Sequence, residues 1–218
     1  MKPRKPTSSP PQRLSAAAHE VRILGGTLKR SKLHVLDAPG LRPTPSRVRE
    51  TLFNWLGQDL NGWRCIDAFA GTGALGIEAA SRGAREVVLI EQWPPAAKRL
   101  SAEVERLGVE SLVRVQAGDA LAHMQRLKPA AYDVVFLDPP FSHAPLFVKA
   151  LQAAARCVVP DGWAYLEAPE LWTEALLTPL GWRLVREGHA GAVHFHLLQR
   201  MGSAIQADTG VSSQLTSS

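Results

Sequence analysis

Between Trp63 and Glu167 the chain repeats one pattern, a short apolar run followed by a longer stretch with apolar residues at helical spacing. The runs are Arg64–Phe69, Glu86–Ile90, Leu112–Gln116, Tyr132–Leu137 and Gly162–Glu167. The stretches between them read as helices, one ending near Ser81, then Pro94–Leu107, Ala120–Leu127 and Pro145–Cys157. A strand apolar on both sides must be covered on both sides, and strands joined through helices run parallel. The pattern therefore predicts an α/β fold with a parallel sheet. Trp182–Glu187 and Val193–Leu198, flanking Gly188–Gly191, predict an antiparallel hairpin that completes it.

Ahead of this region, Val21–Leu24, Gly25-Gly26 and Thr27–Lys29 read as strand, turn and return strand, with Leu33–Leu36 a candidate further strand. Thr44-Pro45-Ser46 opens a helix through Gly57, with Val48, Leu52, Trp55 and Leu56 on one face and Arg47, Arg49 and Glu50 displayed elsewhere. The expected layout is a disordered basic tail over 1–18, a hairpin extension over 19–42, the α/β domain over 43–200 and a disordered tail over 201–218. Charge follows this division. The first fifty residues carry eleven Lys/Arg against three Asp/Glu, and the remainder fourteen against seventeen. Arg22, Lys29, Arg30 and Lys32 are interleaved with apolar residues, and together with Arg42 they form a candidate surface for a polyanion.

No apolar run reaches the roughly 18 residues that a membrane span requires, and Met1–Pro11 lacks the apolar core of a secretory signal. Cytoplasmic location is the expectation. Cys65 and Cys157 each lie in an apolar stretch and read as buried, reduced thiols. The seven histidines show no metal-ligand spacing, so no metal is expected; His194 and His196 alternate along a strand and read as its polar face.

Two loops carry the chemistry. In Asp67-Ala68-Phe69-Ala70-Gly71-Thr72-Gly73-Ala74-Leu75-Gly76, glycines at G-x-G-x-x-G spacing sit at a strand-to-helix turn, where a backbone can approach a ligand closely. Glu91 ends the next strand and can accept hydrogen bonds from two ribose hydroxyls. Dinucleotides and S-adenosylmethionine both fit these features. Asp67 favours the second, because its carboxylate would repel a pyrophosphate and attract an amino-acid ammonium. Asp119, beside Ala120, either meets the adenine amino group or caps the following helix.

The second loop is Asp138-Pro139-Pro140-Phe141. Proline cannot extend a ladder and holds the preceding residue extended, so the strand stops and leaves a stiff, polar tip. The Asp138 carboxylate and Pro139 carbonyl can accept from an exocyclic amine, localise its lone pair and stabilise the positive charge that develops on methylation. Phe141 can stack on the base, which must be flipped out or unpaired to reach such a pocket. Asp138 borders the cofactor loop as well as the acceptor.

These loops resemble the class I S-adenosylmethionine-dependent methyltransferases that act on amino groups. Ile23-Leu24-Gly25-Gly26, Gly40–Thr44, Arg47–Leu56, Asp67–Gly76 with Glu78-Ala79 and Ser81–Ala84, and Asp138–Phe141 are together similar to the RsmD family. The resemblance runs from about Val21 to Arg200, and the Arg42–Leu56 block is its specific part. It implies a Rossmann-like, seven-stranded, mostly parallel sheet with the N-terminal hairpin added for RNA. It also implies S-adenosylmethionine as cofactor, methylation of guanine N2 in bacterial 16S rRNA during small-subunit assembly, and a monomer as the working form. Thr44 and Arg47 are implied to close over cofactor or substrate. Leu28-Lys29-Arg30-Ser31 stands where the family commonly has Trp-Arg-Gly-Arg, keeping charge and losing an aromatic contact. The loops by themselves serve equally an adenine-N6 or cytosine-N4 methyltransferase. A nicotinamide-dependent oxidoreductase explains the glycines and Glu91 but leaves Asp138–Phe141 idle, and a non-catalytic RNA-binding module leaves the cofactor carboxylates idle.

Overall fold

The computed structural model describes residues 20–35, 44–141 and 144–202. The expected basic tail, the stretch holding Arg42 and the expected tail from residue 203 onward lie outside them. Two short antiparallel strands, β1 (Glu20–Arg22) and β2 (Lys32–His34), precede helix α1 (Ser46–Trp55). The alternation follows as β3 (Arg64–Asp67), α2 (Ala74–Ser81), β4 (Glu86–Glu91), α3 (Pro94–Leu107), β5 (Val113–Ala117), α4 (Ala120–Arg126), β6 (Tyr132–Leu137), α5 (Ala144–Cys157) and β7 (Val158–Ala168). A one-turn helix, α6 (Glu174–Leu177), and a 3-10 turn lead into the hairpin β8 (Trp182–Ala190) and β9 (Val193–Arg200).

The main sheet has the order β5-β4-β3-β6-β7-β9-β8. Strands β3 to β7 pair in parallel, while β9 runs antiparallel to both β7 and β8. From β3 the chain steps outward to β5, then returns to place β6 on the other side of β3. The direction of winding therefore reverses between β3 and β6. Alternation along the strands sends Val134, Phe136 and Tyr165 to one core with Leu52, Phe53, Leu75 and Leu100. Val135, Leu137 and Leu166 go to the other, with Leu151 and Trp182. Both cores are closed by helices, as the unbroken apolar runs require. Among the described residues no helix is long and apolar enough to cross a membrane. Cys65 and Cys157 are free and buried.

The N-terminal segment departs from its expected form. The return strand is Lys32–His34, in register with Glu20–Arg22, and Thr27–Lys29 lies in a turn. The reason is that helix α2 claims the intervening backbone. Leu24 and Gly25 N–H each donate to the Glu78 carboxylate at 2.8 Å, and Thr27 N–H donates to the Ser81 carbonyl at 2.7 Å. Leu28 N–H donates to the Ser81 hydroxyl, which donates in turn to the Gly25 carbonyl at 2.5 Å. Gly26 has φ +73°, and a Cβ there would stand 1.7 Å from the Ser81 carbonyl oxygen. Only glycine fits.

Arg49 is not displayed on the outside of α1 but is 1% exposed. Its guanidinium donates to the carbonyls of Arg22 and Thr44 and to Glu78, 3.3 Å away. Arg82 reaches Glu78 from one turn further along α2, at 2.9 Å, and its guanidinium also lies 4.7 Å over the Phe53 ring. A second carboxylate, Glu103 of α3, holds β2 through His34 at 2.9 Å and also pairs with Arg99 and Arg106, the latter donating to the Lys32 carbonyl. Removing one partner of a buried ion cluster leaves the others desolvated and unpaired. Glu78→Ala is expected to cost about 3–5 kcal/mol in urea unfolding. Lys32→Ala, which removes an exposed pair with Glu20, should leave the urea midpoint nearly unchanged.

Candidate active site

Four strands end in an acid at or just beyond their carboxyl edge: Asp67 on β3, Glu91 on β4, Asp138 after β6 and Glu167 on β7. The reversal between β3 and β6 opens a crevice at this edge, where open α/β sheets bind ligands. Asp67 pairs in register with Phe136, and Phe136 with Tyr165. Residues in register share a face, and alternation puts Asp138 and Glu167 on that face too. Three carboxyls are thus gathered on one side of the crevice, above the core that α1 and α2 cover.

Asp67 is 3% exposed, and its Oδ2 accepts from Gly76 N–H at 3.0 Å. Gly76 leaves no room for a side chain, since a Cβ would stand 2.2 Å from Leu89. Gly73 takes φ +74° to begin α2 and donates to the Ala70 carbonyl at 2.6 Å. Glu91 stitches two loops together, accepting from Gly71 N–H at 2.8 Å and from Trp93 N–H at 2.7 Å. One lone pair on each of its oxygens remains for a ligand. The Ala70 N–H donates to the Ile90 carbonyl, so the loop is held at both ends. Phe69 is half-buried and Ala70 buried beside it.

Asp119 does cap α4, accepting from Ala122 N–H at 2.8 Å. The cap uses only Oδ1 of an exposed residue and leaves Oδ2 for a ligand, so the two readings of Asp119 are compatible. Ala120 is buried in the first turn behind it. Asp138 keeps part of its surface open although it is densely surrounded, Pro139 is buried, and Phe141 is 40% exposed. The Phe141 ring lies 6.3 Å from Phe147, which lies 6.2 Å from Trp172. Thr44 is buried near the mouth and Arg47 exposed on α1. Arg22, Lys29 and Arg30 are exposed on the N-terminal segment, while Lys32 pairs with Glu20 at 2.7 Å.

Glu167 belongs to the same cluster and is absent from the residues singled out in the sequence. It is 5% exposed, and the Tyr165 hydroxyl donates to its Oε1 at 2.9 Å. The signal was available: the rule that picked Asp67, Glu91 and Asp138 by position at successive strand ends also picks Glu167. His196 is corrected as well. It is fully buried rather than on a polar face, with its Nε2 accepting from Trp172 N–H at 3.1 Å and its Nδ1 3.2 Å from the Leu166 carbonyl.

Burial pushes the Asp67 carboxyl up to about 7, against the opposing pull of the Gly76 N–H, with the Glu91 and Glu167 charges adding to the rise. Asp138 is raised well above the usual range, first by burial and then by Glu167 and Asp67. Burial raises Glu167 too, while the Tyr165 and Thr44 hydroxyls oppose it. Among the described residues no Lys or Arg forms an ion pair with any of the three. No group of three or more His, Cys, Asp or Glu among those residues could hold a metal ion. The crevice is therefore a cluster of carboxyls that lacks its own cation, suited to a ligand whose positive charge would let them ionise.

A protein-family model described as "Conserved hypothetical protein 95" matches residues 21–199. "Ribosomal RNA small subunit methyltransferase D" of Escherichia coli strain K12 is 38% identical over 186 residues, 83% of this chain and 90% of that protein. A solved methyltransferase from Escherichia coli, yhhF, superposes with a TM-score of 0.73 at 34% identity, covering 84% of this chain and 99% of its own. An RNA methyltransferase from Salinibacter ruber, crystallised with S-adenosyl-L-homocysteine, shares the fold with a TM-score of 0.56 at 18% identity, covering 81% of this chain and all (100%) of its own.

An acid whose folded-state value lies above its unfolded value binds protons more tightly when folded, so stability is lost as pH rises through that interval. Asp67 moves from 3.8 to about 7, which sets the window. Without ligand, unfolding free energy should fall between about pH 4 and pH 7, by about 1 kcal/mol per pH unit for each fully shifted carboxyl. Urea unfolding across this range measures it, and Asp67→Asn should flatten the slope.

Proposed function

The chain belongs to the RsmD family of S-adenosylmethionine-dependent ribosomal RNA methyltransferases, matching it over residues 21–199, and on that premise we propose that its acceptor atom is N2 of a guanine in 16S rRNA. Methylation of an exocyclic amine is supported by the place of Asp138-Pro139-Pro140-Phe141 at the β3–β6 reversal, beside Asp67 and the glycine loop, while the choice of guanine rests on the family. Acceptor-positioning groups and cofactor-binding groups thereby share one crevice.

The donor set fits S-adenosylmethionine. Buried carboxyls without a paired Lys or Arg suit a molecule that carries an ammonium and a sulfonium. When bound, this cofactor supplies an activated methyl group. In our assignment Asp67 faces the ammonium. Phe69, Ala70, Gly71, Gly73 and Gly76 form the wall that lets the backbone approach. Glu91 accepts from the ribose hydroxyls with its remaining lone pairs, already oriented by Gly71 and Trp93. The remaining oxygen of Asp119 accepts from the adenine amine, with Ala120 beneath the ring. Thr44 and Arg47 close the mouth.

The acceptor amine donates one N–H to Asp138 and the other to the Pro139 carbonyl. Both bonds localise its lone pair and aim it, and both strengthen as positive charge builds on nitrogen. The raised carboxyl of Asp138 makes it a competent acceptor for the proton the nitrogen then releases. Phe141, exposed at the rim, stacks on the flipped base. Arg22, Lys29 and Arg30 contact RNA phosphates, with Lys32 weaker because Glu20 holds it. Arg42, outside the described residues, is assigned to RNA contact as well. We assign residues 19–42 to an RNA-binding extension and 43–200 to the catalytic domain of a cytoplasmic monomer working on the assembling 30S subunit.

Asp138→Ala should lower methyl transfer by a factor of about 10²–10³ or more, the size of loss seen when one oriented charge-stabilising group is removed. Calorimetric binding of S-adenosylmethionine should persist. Nucleoside mass spectrometry of 16S rRNA from a deletion strain, complemented with wild type or the variant, should show N2-methylguanosine only with wild type. Restoration of N6-methyladenosine or N4-methylcytosine instead would replace guanine as the acceptor.

A further inference from the structure

We propose that Glu167 selects guanine by accepting its N1–H, while Asp138 and Pro139 hold the neighbouring N2 amine. The inference rests on the guanine reading above and supplies a base-selecting group, which Asp138-Pro139-Pro140-Phe141 does not contain. A guanine Watson–Crick edge presents N1–H and the N2 amine side by side, a donor row that two adjacent acceptors can match. Adenine and cytosine carry an amine beside an unprotonated ring nitrogen, so a carboxylate there meets a lone pair instead of a proton.

The geometry supplies the second acceptor. Leu137 pairs in register with Leu166, so the next residues on β6 and β7, Asp138 and Glu167, are neighbours on one face of the crevice. Glu167 is aimed by its neighbour on the same face, its Oε1 fixed by the Tyr165 hydroxyl at 2.9 Å. Tyr165 is fully buried and cannot follow a moving partner, so the carboxylate is oriented before RNA arrives. Among the described residues it has no ion pair that would explain its burial as structural. Buried acids without a counter-charge are costly and mark sites of function.

The test replaces the target guanine by 2-aminopurine, which keeps the N2 amine and lacks the N1 proton. Small-subunit particles and naked 16S rRNA carrying either base are methylated with wild type, Glu167→Gln and Tyr165→Phe, and kcat/KM is measured for each. Wild type should prefer guanine by at least about a hundredfold, because its carboxylate would be left facing a lone pair in the analogue. Glu167→Gln can donate to that lone pair, so the preference should collapse by about tenfold or more, with 2-aminopurine improved in absolute rate. Tyr165→Phe, which loosens the carboxylate without removing it, should shift the ratio the same way by less. A purely structural Glu167 would lower both substrates together; an unchanged ratio in Glu167→Gln overturns the inference and leaves the guanine reading standing. If wild type forms no N2-methylguanosine in either particle or RNA, both fall.

Discussion

The Glu78 carboxylate, wholly buried near the middle of the molecule, accepts from the amides of Leu24 and Gly25 and pairs with Arg49 and Arg82. Such a charge is tolerated inside a protein only when its hydrogen-bonding capacity is filled. Here the groups that fill it come from the N-terminal segment, from α1 and from α2 itself. The same helix that starts at the glycine loop therefore also anchors the segment carrying Arg22, Lys29 and Arg30. The N-terminal segment and the helix that follows the glycine loop meet at one carboxylate, and neither can shift without disturbing the other.

A different kind of constraint governs the crevice. Asp67, Asp138 and Glu167 are enclosed together with no paired Lys or Arg among the described residues, and each is harder to ionise than an ordinary carboxyl. The fold accepts this local penalty where Glu78 and Glu103 avoid it by pairing. The contrast separates acids that build the structure from acids that await a ligand. All five are nearly or partly buried; only the partners distinguish them.

Much of this arrangement was legible in the sequence because it depends on local patterns. Apolar runs of strand length fixed the five parallel strands, and Asp-Pro-Pro-Phe could only end one. Gly71, Gly73 and Gly76 mark a tight strand-to-helix turn on any reading. What failed depended on contacts distant in the chain. The Thr27–Lys29 strand was forfeited because Ser81, some fifty residues away, captures its backbone. Arg49 looked like a surface charge because helical periodicity cannot show a Glu on another helix. His196 looked polar because alternation does not reveal that Leu166 and Trp172 satisfy both ring nitrogens. Glu167 was hidden differently, since its run was read for apolar residues and its terminal acid passed over.

The placement of β9 has a consequence for how the protein is made. It comes last among the described strands yet lies inside the sheet, antiparallel to β7 on one side and β8 on the other. Until Val193–Arg200 has left the ribosome, β7 has an open edge and β8 has nothing to pair with. Ala164 and Tyr165 on β7 are then without their cross-strand partners Leu198 and Leu197. The crevice wall carrying Glu167 is thus completed only once Val193–Arg200 has been made, and a chain interrupted before that point would expose an unpaired strand to its neighbours. The site of this rRNA methyltransferase is therefore finished by the last described strand to be made, well after the glycine loop and Asp138 have been laid down.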